Sequence, residues 1–453
     1  MTTTTHCRPS SHQVGLGYSD GDRLGALATF GAQGFIFFAL IFVFNVTGFE
    51  VFPGLTPMAL FVGSLGVVVL APRRVLMRLP VSIVLVLLIV WILASRMWTD
   101  SPAGTSFATL RLMPIVGGVA IVSGLISLVD LVKALLWSIR FSVVLTLAIV
   151  AIFPETRLHI DPTGLAPPLD GWHGWFPHKN IMTPFLVFGA VTVLTFDRNR
   201  LVRWTTLAAI TVLIIGSDSV TGISSLMLAV SVWVWIQLYQ NLDLRNSSVF
   251  VISSGAIGIF GLLGLAASLT TLTSASGRDV TFTGRTFIWQ ATFDALTERP
   301  FLGYGLGGIL FDNPITPKTA EVWRAIGFRA PHAHSGALDL ALQLGVIGLA
   351  IFLVLFALTM LDALRIVRDR PTIAAWIIST MVVQLYMSLS ENVFMGSGWL
   401  PLLVMFRVLL MRRSGMELAT GADLADRLRR SRVPAGAGAG AGAGVGVGVG
   451  AGV

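Results

Sequence analysis

From Leu24 to Met411 the chain alternates long apolar runs with short polar breaks, and the runs are helix-length, roughly 17 to 25 residues each. A run of that length predicts a membrane-spanning helix rather than the alternating, roughly ten-residue segments of an outer-membrane barrel. About twelve spans are expected on this criterion. They start near Leu24, Pro57, Val81, Phe107, Leu131, Asn180, Thr205, Val220, Val249, Ser335, Ile373 and Phe394. Thr205 to Tyr239 is divided at "GSDSVTG", because one unbroken helix would overrun the bilayer. The expected fold class is therefore all-α, a polytopic integral membrane protein with a transmembrane domain over 24–411. Residues 1–23 form a polar tail. Residues 412–453 form another, low in complexity from 434 ("PAGAGAGAGAGVGVGVGAGV") and expected to be disordered there.

Charge refines this picture. The chain is 54% hydrophobic and only 12% charged, against about 25% charged in soluble domains, which excludes a soluble class. The Arg-rich connections "APRRVLMR", "DRNRLVR", "LRIVRDR" and "MRRS" fall on alternate loops, whereas "FEVFPGLT" and "SENVFMGSG" carry no Lys or Arg. The positive-inside rule then places both termini in the cytoplasm. Two larger connections, 154–179 and 271–334, face outward, and the second, before the tenth span, is long enough to be a working loop. The net charge of +8 belongs to this topology signal, and nucleic acid is not an expected partner. A lone cysteine, Cys7, excludes a disulfide framework and a cysteine-based metal site. The polar N-terminal segment does not read as a signal peptide.

Three outward segments concentrate the chemistry. "PHAHSGALDLALQLGVIGLAIF", Pro331 to Phe352, sets His332 and His334 against the tenth apolar run. Ser335 or Gly336 can cap that helix, and Asp339 falls in its first turn. A lone interfacial histidine is ordinarily structural. Two beside a helix N-terminus, with Arg329 just before them, suit a general base in a cation-rich pocket. "TGRTFIWQATFDALTERP" predicts a short helix ending before Pro300, with Phe287, Ile288, Ala291, Ala295 and Leu296 on an apolar side laid along the outer membrane surface and Trp289 at the interface. Arg285 stands at its N-terminal end, where the dipole disfavours a cation by roughly 0.3 to 1 kcal/mol. Either an anion is held nearby or the side chain snorkels to headgroups.

"GWHGWFPHKN" places His178, Lys179 and Asn180 at the start of the sixth span, a natural anion site, with Trp172 and Trp175 as interfacial anchors. Arg140 within the fifth span and Arg111 near the outer end of the fourth default to a functional reading, because a charge at a span centre costs about 2.5 to 3.5 kcal/mol. Asp218 and Glu391 are further ionisable residues near the outer face. "GYGLGG", Gly303 to Gly308, spells a dinucleotide fingerprint, but without a strand before it and a helix after it the segment reads as a turn. "DGD", Asp20 to Asp22, reads as part of a solvated tail.

These segments resemble the bacterial O-antigen ligase/polymerase family. "HAHSGALDLALQLGVIGLAIF" is similar to that family's histidine signature. "TGRTFIWQATFDALTERPFLGYGLGG" resembles the Gly-Arg…Trp…Pro…Gly-x-Gly segment of its long outer loop, and "FPHKN" a short His-Lys-Asn element before a middle span. The resemblance implies a metal-independent, inverting glycosyltransferase without cofactors. Such an enzyme moves a glycan from a polyprenyl-diphosphate (undecaprenyl-type) carrier to a lipid or saccharide acceptor at the outer face of the bacterial cytoplasmic membrane. It implies His334 as the base and Arg285 as a diphosphate contact; read from the residues alone, His332 stays open as the base with His334 supporting the cap, and Arg329 joins the cationic set by its position. "SDSVTG" has Val220 where many members carry an arginine, so the second diphosphate cation is left to Lys179, Arg111 or Arg140. His332, His178, Asn180, Ser335, Asp339 and Trp289 are the expected pocket residues, Ser335 standing where Asn is usual.

Ligase and polymerase share these signatures, and both stay open. A twelve-span secondary transporter would predict related halves and ionisable residues near mid-membrane, and no repeat is visible. A mannosyltransferase-type enzyme would need acids in the first outer loop, where only Glu50 occurs.

Overall fold

The computed structural model describes residues 80–159, 169–241, 285–310, 314–394 and 399–412. The spans expected at Leu24, Pro57 and Val249, both tails and the first part of the long loop lie outside these residues. Among the described residues the chain is helical apart from an antiparallel pair of two-residue strands, β1 (Leu158–His159) and β2 (Leu169–Asp170). The helices are α1 (Ile83–Ala94), α2 (Pro102–Leu125), α3 (Leu128–Ile152), α4 (Lys179–Phe196), α5 (Arg200–Gly216), α6 (Val220–Asn241), α7 (Arg285–Glu298), α8 (Pro317–Ile326), α9 (Gly336–Arg365), α10 (Pro371–Met387) and α11 (Trp399–Met411). Apart from α7 and α8, each begins within a turn or so of an expected span. Five of them, α2, α3, α4, α6 and α9, are long and apolar enough to cross a membrane, and α1, α10 and α11 are shorter apolar helices. The chain is accordingly a multi-pass membrane protein, helical among the described residues apart from that strand pair.

Local chemistry starts these helices where the sequence allows. The Ser101 hydroxyl accepts the Gly104 N–H with Pro102 at the first helical position, and Ser127 accepts the Asp130 N–H. Asn199 accepts from Leu201 and Val202, and Thr316 opens α8, which closes on Gly327 in the left-handed region. Bulky apolar side chains on the outer faces, among them Leu110, Trp137 and Val144, are exposed. That is the expected state of a face whose solvent is lipid. α4 differs: 72% of its apolar stretch is buried, against 28–44% in the other four candidate spans. It packs against α3, α5, α6 and α10 and is the central post of its half.

In the other half, α9 packs against α1, α7, α10 and α11. It is interrupted at Gly345, whose φ of 72° and ψ of 175° are not helical. The interruption has an identifiable cause. The "GYGLGG" turn wedges in at this level, so that Tyr304 N–H donates to Leu342 O at 3.0 Å and Gly305 N–H to Gln343 O at 2.8 Å. Trp91 Nε1 donates to Leu344 O at 2.9 Å, and Val346 N–H donates to Pro300 O at 2.8 Å. Groups released by the break are thus re-paired, as a low-dielectric setting demands. A Cβ on Gly345 would lie 1.9 Å from Phe301 O, so only glycine fits. The part after the break, Val346–Arg365, is about 30 Å long at roughly 1.5 Å per residue, enough for a bilayer core. The part before it, Gly336–Leu344, is a short platform.

The long loop folds onto that platform. Ile288, Ala291, Ala295 and Leu296 of α7 are buried with Val322, Trp323 and Ile326 of α8 and with Ala341 and Leu342 of α9. The apolar side of α7 therefore faces protein, not the membrane surface as its composition suggested, because α8 offers a complementary apolar face that a single-helix reading does not anticipate. Of the large apolar side chains of α7, Phe287 and Phe293 are left exposed.

Candidate active site

Three separate elements meet at the N-terminal end of α9. The turn after α10 is tied to it directly: Gly336 N–H donates to Ser388 O at 2.7 Å. That contact sets Glu391, only 6% exposed, over the start of the platform. Arg285, the first residue of α7, donates from its guanidinium to Glu391 Oε1 at 2.7 Å. Asn180, in the first turn of α4, donates its side-chain amide to the same oxygen at 2.9 Å. His334 Nδ1 lies 3.5 Å from the other carboxylate oxygen, Oε2. The anion that Arg285 requires at the unfavourable pole of its helix is thus a carboxylate of the chain itself, and the guanidinium is turned inward to it.

The carboxylate is held charged. Burial is the largest influence and pushes Glu391 up, but the hydrogen-bonding contact with His334 and the charge of Arg285 outweigh it, and the group titrates below its ordinary 4.5. His332 is pushed the other way from charge: burial first, then His334, lower it to about 3, against the opposing pull of Glu391. The two imidazoles are in contact, with ring centroids 4.1 Å apart at 53°. His332 Nδ1 accepts the backbone N–H of His334 at 3.2 Å, so a neutral His332 carries its proton on Nε2. His334 Nδ1 faces Glu391 Oε2 at 3.5 Å without a formed hydrogen bond, and a proton placed there would leave Nε2 as the acceptor.

The other expected pocket residues are placed as follows. Trp289 Nε1 donates to His334 O at 3.4 Å. Ser335 occupies the N-cap position of α9 without a side-chain bond into the helix. Asp339, in the first turn, reaches back instead, accepting Ala333 N–H at 3.0 Å and Gln343 Nε2–H at 2.6 Å. Gln343 in turn accepts Gly307 N–H at 2.9 Å, joining the histidine segment to the glycine turn. His178 caps α4, its Nδ1 accepting Asn180 N–H at 3.0 Å, and its charge also bears on His332.

The candidate cations divide. The Lys179 side chain runs over Gly171, where a Cβ would fall 2.8 Å from Nζ and 2.5 Å from Ser217 O. It therefore lies against the α5–α6 turn, beside the site. Arg329 is exposed with its guanidinium 5.7 Å from the Trp323 ring. Arg111 lies on α2 over Phe107, 5.3 Å from the ring centroid. Arg140 is not brought here at all. It pairs with Asp197, the residue that follows α4 at the opposite end from Lys179, about 27 Å away by helix length.

His332, His334 and Glu391 each bring one atom that could bind a metal, all within 4.8 Å of one another. Arg285 shares that carboxylate, so a divalent ion would face a fixed positive charge. His332 Nδ1 is already engaged. The residue that sequence reasoning underweighted is Glu391, noted there only as an acid near the outer face. Its signal was an acid in an otherwise apolar connection free of Lys and Arg.

Comparison with known proteins matches residues 205–353 to the family model described as O-antigen ligase. The match covers about a third of the chain and takes in α5 to α9 with the histidine segment. The chain is also 35% identical over 75 residues to a Rickettsia conorii (strain ATCC VR-613 / Malish 7) protein described as a putative polysaccharide ligase. That similarity covers 16% of this chain and 18% of the relative, so the chain matches less than a fifth of the relative's length. Residues 205–353 are thus similar to an O-antigen ligase domain. Asn180 and Glu391, which meet Arg285 and His334, lie outside the matched residues.

Proposed function

We propose that this chain is a membrane glycosyltransferase built around its O-antigen ligase domain. It takes a glycan from an undecaprenyl-diphosphate carrier and transfers it, with inversion, to a hydroxyl of a lipid or saccharide acceptor at the outer face of the bacterial cytoplasmic membrane. One observation carries the reading: His334, Glu391 and Arg285, from three distant parts of the chain, meet at the mouth of α9.

In this mechanism the acceptor oxygen bonds to the anomeric carbon as the bond from that carbon to the diphosphate oxygen breaks, its electron pair leaving with the diphosphate. The hydroxyl proton passes to Nε2 of His334, a contribution of about 10² to 10⁴ in rate. Glu391 holds Nδ1–H and stabilises the imidazolium, the part a buried carboxylate plays in hydrolase triads. Arg285 has five N–H donors and uses few of them on Glu391, leaving the rest of the fork for a phosphate. Lys179 adds positive charge beside the N-terminus of α4, where the helix dipole favours an anion. Together these neutralise the leaving group as its charge grows.

Deleting the gene tests this. Glycan-capped acceptor should vanish while carrier-linked glycan accumulates, and a plasmid copy should restore capping where a His334→Ala copy does not. Glycan shortened to single repeats instead would identify a polymerase of the same chemistry. Unchanged glycans and carrier pool would refute both.

A further inference from the structure

Resting on the reading of His334 as the base, the geometry points to His332 as a positioning residue: its imidazole Nδ1 accepts the His334 N–H and locks the base into a left-handed backbone conformation that aims it at Glu391. His334 has a φ of +47°, one of three non-glycine residues with positive φ among those described. Histidine enters this region more readily than most residues, but such a conformation persists only when the surroundings over-determine it. Here three bonds do so. His332 Nδ1 takes the His334 N–H at 3.2 Å, Trp289 Nε1 donates to the His334 carbonyl at 3.4 Å, and Asp339 fastens the intervening Ala333 N–H at 3.0 Å.

A side-chain acceptor bonding the N–H two residues on is the device of an Asx turn, in which Asn or Asp supplies the oxygen. An imidazole does this only while Nδ1 is unprotonated. The charged and titratable groups that bear on His332 are His334, Glu391, His178 and Arg285. All but Glu391 oppose its protonation, and burial opposes it most. His332 therefore remains an acceptor through the catalytic cycle. This divides the labour between two histidines that the sequence presents as equivalent.

The test compares His332→Asn with His332→Ala in reconstituted full-length protein, using carrier-linked glycan extracted from the host and its native acceptor. Asn offers an oxygen to the same N–H but no imidazole. His332→Ala should lower kcat about tenfold, the scale of one lost hydrogen bond, with KM for the donor unchanged. His332→Asn should recover most of that loss. Thermal unfolding of both variants checks that they fold, and Asn keeps the test informative if Ala does not. Asn as inactive as Ala would mean the imidazole itself does chemistry. Wild-type rates in both, or a rise in KM alone, would make His332 a bystander or a substrate contact. Each of these overturns the proposal. Full transfer by His334→Ala would instead bring down the functional reading beneath it, whatever His332 does.

Discussion

Replacing Glu391 by Gln should separate the chemistry of this site from its architecture. The carboxylate gives Oε1 to Arg285 at 2.7 Å and Asn180 at 2.9 Å, and turns Oε2 toward His334 Nδ1 at 3.5 Å. Gln has the same shape but one acceptor. Its oxygen must stay with Arg285 and Asn180, which only donate there, so its amide N–H₂ faces His334. An N–H facing Nδ1 forces that nitrogen to accept, and the proton moves to Nε2, where the acceptor hydroxyl needs a lone pair. The expected loss in kcat is the full contribution of the base, about 10² to 10⁴, or about 2.7 to 5.4 kcal/mol of barrier at roughly 1.36 kcal/mol per tenfold. Stability should fall less. Both partners of the Arg285–Glu391 pair are largely buried, at 17% and 8% side-chain exposure. Gln keeps the bonds from Arg285 and Asn180 through its oxygen but not the negative charge, so a cost of about 1.5 to 3 kcal/mol is expected, less than that of deleting the buried partner outright.

The assay is single-turnover glycan transfer in reconstituted membranes, with binding of undecaprenyl diphosphate measured in parallel. Wild-type transfer by a folded Glu391→Gln protein would refute the tautomer argument. The acid limb supplies a second check. Glu391 titrates below its ordinary 4.5 in the folded chain, so it stabilises the fold fully above that value and loses this contribution as pH falls through the lower folded one. Glu391→Gln should therefore flatten the acid side of the stability profile.

Four further outcomes are expected. Arg285→Lys should retain some transfer and Arg285→Ala very little, because Lys keeps the charge without the bidentate fork; undiminished transfer by Ala at limiting donor would remove Arg285 from the diphosphate site. Gly345→Ala should destabilise by more than the about 1 to 3 kcal/mol of forcing a side chain into a glycine-only backbone region, since its Cβ would meet Phe301 O at 1.9 Å and expel the glycine turn; an unchanged unfolding temperature would show that the wedge does not hold the platform. With Cys7 replaced, a cysteine at exposed Glu321 should react with an impermeant maleimide in intact spheroplasts and one at exposed Arg200 should not; the reverse would place the site on the wrong side of the membrane. Transfer should survive EDTA, and loss restored by one added divalent ion would turn the His332–His334–Glu391 cluster into a metal centre.

Much of this protein was legible in its linear pattern because the signals are local. Apolar run length marks a span wherever the backbone must satisfy its own hydrogen bonds. Thus α2, α3, α4, α6 and α9 stand where the runs placed them. The histidine segment and the Arg285 helix were visible for the same reason: their meaning depends on neighbours a few residues away. The charge conflict at Arg285 was legible too, with a nearby anion and snorkelling to headgroups as its two readings.

Which anion it was could not be read from neighbours, because Glu391 lies 106 residues further along the chain. The same holds for Arg140, whose intramembrane charge reads as functional until Asp197, 57 residues on, is seen to neutralise it. The break at Gly345 also depends on distant contacts. "LQLGVIG" is an ordinary helical string, and it opens only because a glycine turn some forty residues earlier supplies N–H groups to Leu342 and Gln343. Periodicity and composition report what each segment requires of its surroundings. Packing alone settles which distant segment meets that requirement, since in a low-dielectric interior every charge and freed carbonyl must find a partner somewhere, at whatever separation along the chain.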